Sequence, residues 1–345
     1  MNNPSAASRP LLADVAARAG VSLATASKVA NGRPEVSPAT RARVEAAIRE
    51  LGYVTRAHRP DETPPSISFM ADVIDSAYAM TILKGARDAA EAHGVDLVVE
   101  RTHTSADRTS TVTQSDLNHR LLSRNRSGAV ILTASLDPDT VADLEGARLP
   151  IVVIDPLDSS HPEIVSVGAT NWLGGHSAAD HLLGLGHKRL AVLTGPSASL
   201  SGTARLDGFL SACSRQGLTP APELIRHGPF TQAAGYEVAR EWLSLGADRP
   251  TAITAGSDLQ AIGIVQAADD LGLRIPEDLS VVSYDDTFIT TLTTPHLTAV
   301  RQPLEEMGRR AVETVLLMQD GQPEAHHIEI ATTLSERNST APPRE

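Results

Sequence analysis

The chain has 345 residues, of which 41% are hydrophobic and 3% aromatic, with 30 Lys+Arg against 42 Asp+Glu and a formal charge of -12. That length accommodates two or three domains with apolar content for buried cores. No apolar run approaches the roughly 18 residues that cross a bilayer, the N-terminus lacks an apolar export segment, and a single cysteine, Cys213, excludes an internal disulfide and a cysteine-clustered zinc site. A soluble cytoplasmic protein without cofactor or metal is therefore expected, with Cys213 acting as a small buried hydrophobe.

The first elements form a basic head. Residues 1–59 hold nine Arg/Lys against four acids, a net of +5, while the remainder carries 21 against 38, a net of -17. Only the head is suited to a polyanion. Asp14 to Ala19 places Val15 and Ala19 on one helical face and stops at Gly20. Ser22 caps a second helix from Leu23 to about Val29, and Ser37-Pro38 starts a third, with Val44, Ala47, Ile48 and Leu51 on one stripe. Helix, glycine turn, helix is the pattern of a helix-turn-helix: a small residue (Ala16) at the crossing, Gly20 in the turn, and Val15, Ala19, Val21, Ala26 and Val29 buried. Leu23, Ala24, Thr25, Ser27 and Lys28 then face outward, and Lys28 is one of only three lysines in the chain, able to donate to guanine O6 and N7. The polar, proline-containing stretch 55–65 reads as a linker.

From Ile67 onward short apolar strands alternate with amphipathic helices. The strands are Ile67–Met70, Asp96–Val99, Ala129–Thr133, Ile151–Asp155, Leu190–Thr194, Ala252–Ala255 and Leu279–Tyr284; the helices are Met80–His93, Leu173–Leu185, Ala204–Gln216, Ala233–Leu245 and Leu259–Leu271. Such alternation implies parallel sheets with right-handed crossovers, and a stretch of this length favours two α/β lobes over one. Ligands in these folds sit at the carboxyl ends of the strands. Catalysis is not expected: Asp285 and Asp286 are adjacent and point apart, no nucleophile elbow or phosphate loop follows a strand, and His326-His327 lacks the spacing of a helical metal site.

Asp14-Val15-Ala16, Ala19-Gly20-Val21-Ser22, Thr25, Ser27-Lys28-Val29, Asn31-Gly32, Val36-Ser37, Thr40-Arg41 and Leu51-Gly52-Tyr53 together resemble the head of a LacI/GalR-type bacterial transcription regulator. Gly184 to Leu190, Arg205-Leu206-Asp207-Gly208-Phe209, Ser257-Asp258, Tyr284-Asp285-Asp286 and Arg301-Gln302-Pro303 continue the resemblance through the body. It implies an α/β protein with an N-terminal three-helix helix-turn-helix head (1–54), a linker (55–65) and a two-lobed periplasmic-binding-protein-like core of parallel sheets (66–345). Lobe one is expected over about 66–165 and 301–325, and lobe two over about 166–298 and 326–340.

The resemblance further implies a repressor whose operator binding responds to a sugar or oligosaccharide between the lobes, acting as a homodimer. A solute-binding or sugar-modifying α/β protein with an incidental helical head is the competing reading. At the DNA interface the resemblance places Ser22, Leu23, Ala24, Thr25, Ser27, Lys28, Asn31, Arg33 and Thr40. In the ligand pocket it places Tyr78, Thr133, Asp155, Ser201, Arg205, Phe230, Ser257, Asp285 and Gln302, with Trp172 either a further ring there or a core residue. Ala77 stands where the family carries a ring, leaving room for a larger ligand. The family's Ala-Arg-Ser-Leu hinge pattern is missing after Tyr53, so no intercalating hinge helix is expected; nor does any heptad tail follow the core, which favours a dimer over a tetramer.

Overall fold

The computed structural model describes residues 12–30, 36–51, 65–102, 126–134, 149–321 and 325–344, with single positions 121, 136 and 139 and the pair 141–142. Contacts divide the chain into two units, 1–65 and 66–345.

In the first unit, α1 (Leu12–Ala19), α2 (Leu23–Ala30) and α3 (Pro38–Leu51) bury Val15, Ala19, Val29, Val44 and Ala47 against one another. Gly20 has φ +63, and a Cβ there would meet nothing, so the backbone conformation rather than space requires glycine. Its N–H bonds Ala17 O and that of Val21 bonds Ala16 O, ending α1 in a Schellman turn that aims the chain into α2. The Ser22 hydroxyl accepts from Thr25 N at 3.1 Å, capping α2. The linker over 55–65 lies outside the described residues apart from Pro65, as does the segment after Tyr53 in which a hinge helix would form.

The second unit contains two six-stranded sheets. The first is built from β1 (Ser66–Ala71), β2 (Asp96–Arg101), β3 (Gly128–Leu132), β4 (Ile151–Ile154), β5 (Val165–Ala169) and β11 (His327–Ile330), in the order β11-β5-β4-β3-β1-β2. The second is built from β6 (Leu190–Thr194), β7 (Ile225–His227), β8 (Ala252–Ala255), β9 (Ser280–Asp285), β10 (Thr298–Arg301) and β12 (Thr333–Ser335), in the order β12-β10-β9-β8-β6-β7. All pairings are parallel except β10 with β12. The strand order therefore reverses between β1 and β3 and again between β6 and β8, and such switch points open crevices at the carboxyl ends of the strands.

The helices supply both faces. α4 (Ala77–Ala92) and α9 (Leu304–Asp320) cover sheet one through Ile82, Ala86, Ala89, Met307, Ala311 and Val315. In lobe two α5 (Asn171–Gly184) and α6 (Leu200–Arg215) cover one face with Leu182, Phe209 and Cys213, while α7 (Gln232–Leu243) and α8 (Asp258–Asp270) cover the other with Trp242 and Ile264. Burying Phe209 completely contributes about 1.5–3 kcal/mol. Burial also pushes the Cys213 thiol up to about 11, which keeps it protonated and inert.

The lobe boundaries differ from those expected. β5 and β11 lie in sheet one although lobe two is expected to hold residues 166–169 and 327–330, so the chain changes lobes near Thr170, Gln302 and Thr332. Thr170 is bonded to Ile330 O, and its hydroxyl accepts from Thr332 N at 2.9 Å, tying two of these crossings together. β5 escapes sequence reading because Ser166 and Gly168 interrupt its apolar pattern, and β11 because only pairing with β5 extends it.

His187 locks the end of the chain onto lobe two. Its ring, 2% exposed, contacts the Thr251 and Ser280 hydroxyls, and Nε2 donates to Ala341 O at 2.9 Å. Burial lowers its pKa below the ordinary 6.5. The neutral ring is thus the folded form, and its contribution to stability is complete above about pH 6.5 and lost as the pH falls from there through the lowered value. Thermal melts across that window should show stability falling on acidification; in His187→Asn the fall should be shallower. An unchanged slope would remove His187 as a source. Half-buried His181 is shifted the same way by burial, so some slope remains.

Candidate functional site

A cavity of about 650 Å³ lies between the lobes at the carboxyl ends of the strands. Its walls follow from the topology: Asp72 and Thr102 come just after β1 and β2, Thr133 and Asp155 just after β3 and β4, Pro196 after β6, Ser257 after β8, and Asp285 ends β9. Four helices also start there. The side chains of Ser76, Ser199, Thr231 and Ser257 cap α4, α6, α7 and α8 by accepting from Ala79, Gly202, Ala234 and Gln260 N–H groups. Their positive dipole ends partly offset the carboxylates of the cavity.

Arg205, 6% exposed, organises the lobe-two wall. Nε donates to Asn171 Oδ1 at 2.8 Å and Nη1 to Gly256 O at 2.7 Å, while the guanidinium sits 3.9 Å from the Tyr284 ring centroid and 5.7 Å from that of Phe230. These contacts hold the planar fork in one orientation. Its Nη1 is 3.9 Å from Asp285 Oδ1, which accepts from Gln302 Nε2 at 2.7 Å. Burial and the neighbouring Asp258 charge raise the Asp285 pKa, against which Arg205 works. Asp258 is held by three donors: the Ser283 hydroxyl and the Thr287 N–H and hydroxyl.

On lobe one the Tyr78 hydroxyl donates to Asp155 Oδ2. Burial raises the Asp155 pKa, and this hydrogen bond and the Arg205 charge counter it. Thr133, Asp155, Asp285 and Asp286 have φ of 46, 47, 101 and 58. Non-glycine residues in that region carry strain of about 1–3 kcal/mol each, and three of these four line the cavity.

The structure brings Tyr78, Thr133, Asp155, Ser201, Arg205, Phe230, Ser257 and Asp285 to one cavity, with Ala77 also in its wall. It does not bring Trp172. That ring is 44% exposed and stacks on His176 at 5.3 Å, because Asn171 points inward and the next helical position points out. Gln302 stands behind the wall and positions Asp285. Ser257 is committed to its cap, and the Ser201 hydroxyl is bonded to Ser199 at 3.0 Å. Asp72, Ser76, Thr102, Ser199, Thr231 and Asp258 also line the cavity, although the sequence assigns none of them to the pocket; the position of Asp72 and Thr102 directly after strands is the signal available.

On the head, Ser22, Leu23, Ala24 and Lys28 are exposed and Thr25, Ser27 and Thr40 partly so, while Ala26 is buried. The Ser37 hydroxyl donates to Thr40 Oγ1 at 2.9 Å. Asn31 and Arg33 lie outside the described residues.

Residues 11–56 match the description "Bacterial regulatory proteins, lacI family", and residues 179–340 match "Periplasmic binding protein-like domain". The HTH-type transcriptional repressor PurR of Pectobacterium carotovorum subsp. carotovorum (strain PC1) is 33% identical over 335 residues, covering 95% of this chain and 96% of its own. The chain belongs to the LacI family of bacterial regulatory proteins. Among solved LacI-type structures, the lac repressor dimer bound to operator and the anti-inducer ONPF is 29% identical with a TM-score of 0.75, covering 97% of this chain and 100% of that one. A complex of the transcriptional regulator CelR with cellobiose is 30% identical with a TM-score of 0.71, covering 96% and 100%. As a LacI-family member the protein is a DNA-binding transcriptional regulator whose core takes a small-molecule effector. No helix among its described residues is long and apolar enough to cross a membrane.

In this LacI-type head Lys28 projects from α2, the helix that follows the glycine turn. Lys28→Ala should cost about 1–3 kcal/mol at one base pair of the operator and relax the preference there. Operator-variant gel shifts check this; a uniform loss on all sequences would make Lys28 a phosphate contact instead.

Proposed function

We propose that this protein is a cytoplasmic repressor that grips its operator as a homodimer and is switched by a sugar or short oligosaccharide held between its lobes. The observation that carries the reading is the buried Arg205–Asp285 pair, 3.9 Å apart beside the Phe230 ring. A fixed guanidinium fork donates to hydroxyl oxygens, a carboxylate accepts from hydroxyl groups, and an aromatic face packs on the apolar face of a sugar. The cellobiose held by the CelR relative supports this ligand class. The dimer in which the lac repressor relative meets operator supports the assembly, and on this chain Phe288 and Leu292, 59% and 74% exposed, offer apolar surface for it.

The core is read as binding without turnover. Asp285 faces the cavity, whereas Asp286 turns away to the Arg301 guanidinium at 2.8 Å and to Arg337 at 2.7 Å, so the two carboxylates do not act on one substrate as an acid/base pair. The test has two arms. Operator gel shifts should weaken steeply with salt, through counterion release by the head, and light scattering should give a dimer. A thermal-shift screen over mono- and oligosaccharides should then find a compound that raises the melting temperature and changes operator affinity. A panel in which no sugar does either would defeat the ligand assignment and leave the DNA reading standing.

A further inference from the structure

The charged and the apolar side chains of the cavity differ in how far water reaches them. Asp155, Arg205 and Asp285 are 6%, 6% and 7% exposed and, with the Tyr78 hydroxyl that donates to Asp155, form a deep polar floor drawn from both lobes. The apolar residues stand farther out. From lobe one Val73 and Leu157, 38% and 39% exposed, line the same cavity, and from lobe two exposed Pro196 and Ala198 and half-buried Ile289 do so as well. A single exposed leucine is ordinary on any surface, but apolar side chains contributed by two lobes to one cavity form a rim that a ligand can cover.

The remaining polar side chains of the wall offer that rim little. The four hydroxyls that cap helices already accept from their own N–H groups, Ser201 bonds Ser199, and Thr287 donates to Asp258. Asp72 stands 3.6 Å from the Arg101 guanidinium, and the Thr102 hydroxyl is shut off from the cavity. Thr133, just after β3, adds one exposed residue with a hydroxyl. A sugar ring carries hydroxyls around its whole edge, so a ring pressed against this rim would give up water without gaining partners, whereas an apolar group there gains free energy in proportion to the surface it removes from water. The cavity of about 650 Å³ has room for both parts of such a ligand, since clefts of about 300–1,000 Å³ take molecules of drug size.

Resting on the sugar reading above, we propose that the effector is a glycoside with an apolar aglycone, aryl or alkyl, rather than a sugar hydroxylated throughout. The sugar ring seats on the floor, against Arg205, Asp285 and the Phe230 face, and the aglycone lies between Val73 and Leu157 of one lobe and Pro196, Ala198 and Ile289 of the other. Both ends of this ligand meet both lobes, so it binds one lobe arrangement better than another, which is the condition for switching DNA affinity.

Calorimetry on the full chain tests this with the methyl, phenyl and hexyl glycosides of glucose, galactose and xylose, both anomers, beside the free sugars, cellobiose and lactose. For at least one sugar the phenyl or hexyl glycoside should bind about tenfold or more tightly than the methyl glycoside, and with a more negative heat-capacity change. Tenfold is about 1.4 kcal/mol, the burial of about 55 Å² of apolar surface, less than an aromatic ring offers. Val73→Asn and Leu157→Asn should each lower affinity for the apolar glycoside about threefold or more beyond any loss for its methyl counterpart. Leu157→Met should retain the preference, and unliganded melting temperatures close to the wild type establish that the variants are folded. A methyl glycoside or a disaccharide that binds as tightly as the phenyl and hexyl glycosides of the same sugar overturns the aglycone site while leaving the sugar reading intact. Equal losses for methyl and apolar glycosides in both variants, or no loss in either, do the same. If nothing in the panel binds, the sugar reading falls and the aglycone site with it.

Discussion

Arg205→Ala is expected to leave a protein that still binds operator and no longer responds to effector. The side chain is 6% exposed, and its removal leaves Asn171 Oδ1 and the Gly256 carbonyl without their donor, while Asp285 and Asp155 lose the cation that opposes their burial. Breaking a buried charge pair from one side costs about 3–5 kcal/mol, so the variant should also melt earlier. Effector affinity should fall by about thirtyfold or more, because ligand hydroxyls desolvated in the cavity lose a charged partner. The three helices of the head pack on one another through Val15, Val29, Val44 and Ala47 and do not depend on this arginine. An effector changes DNA affinity only by its different affinity for two core arrangements, so losing the first loses the response. Arg205→Lys keeps the charge without the fork and should fall between the two. Gel shifts with and without effector, below the lowered melting temperature, decide the matter; full retention of the response in Arg205→Ala would take Arg205 out of the pocket.

The second large effect lies one helix away. A Cβ on Gly175 would stand 1.9 Å from the Arg205 carbonyl oxygen and 2.7 Å from its carbon, both backbone atoms of α6 that cannot rotate aside. Gly208 makes the reciprocal approach, 1.9 Å from Trp172 O, so α5 and α6 cross with backbone against backbone. Gly175→Ala gains about 1 kcal/mol of helix propensity but must separate the helices, and overpacking of this kind costs about 1–3 kcal/mol or more. The clash falls on the residue that carries the guanidinium, so effector affinity should drop together with stability. Gly184→Ala, at the end of the same helix, is the control: nothing lies within 4 Å of its Cβ, so it should be neutral or slightly stabilising. Urea midpoints and calorimetry on both variants check the pair. A Gly175→Ala protein as stable as the control would mean that the helices are not held at this distance.

Local chemistry made much of the protein legible from residues alone. Gly20 and Ser22 mark the turn of the head because a left-handed φ and a capping hydroxyl are properties of single residue types. The apolar runs at 190–194 and 252–255 coincide with β6 and β8, since a strand buried on both faces needs no partner to be recognised. Arg205 and Asp285 were placed by their motifs, and both line the cavity.

What tertiary structure decided are the relations between distant residues. β11 becomes a strand of sheet one only by pairing with β5, His327 opposite Ser166, which no local pattern encodes. Trp172 and Asn171 are neighbours in sequence, yet the rotation of one helical residue sends the amide to Arg205 and the indole to solvent. Asp72 and Thr102 lie far apart in the chain; they share a wall because β1 and β2 are adjacent in register, Ala71 opposite Arg101. Residue type and local spacing determine which turn, helix or strand can form, because those depend on backbone preference and periodic burial. Which side chains meet across the cavity depends on strand order and helix rotation, and these are set by packing the whole core at once.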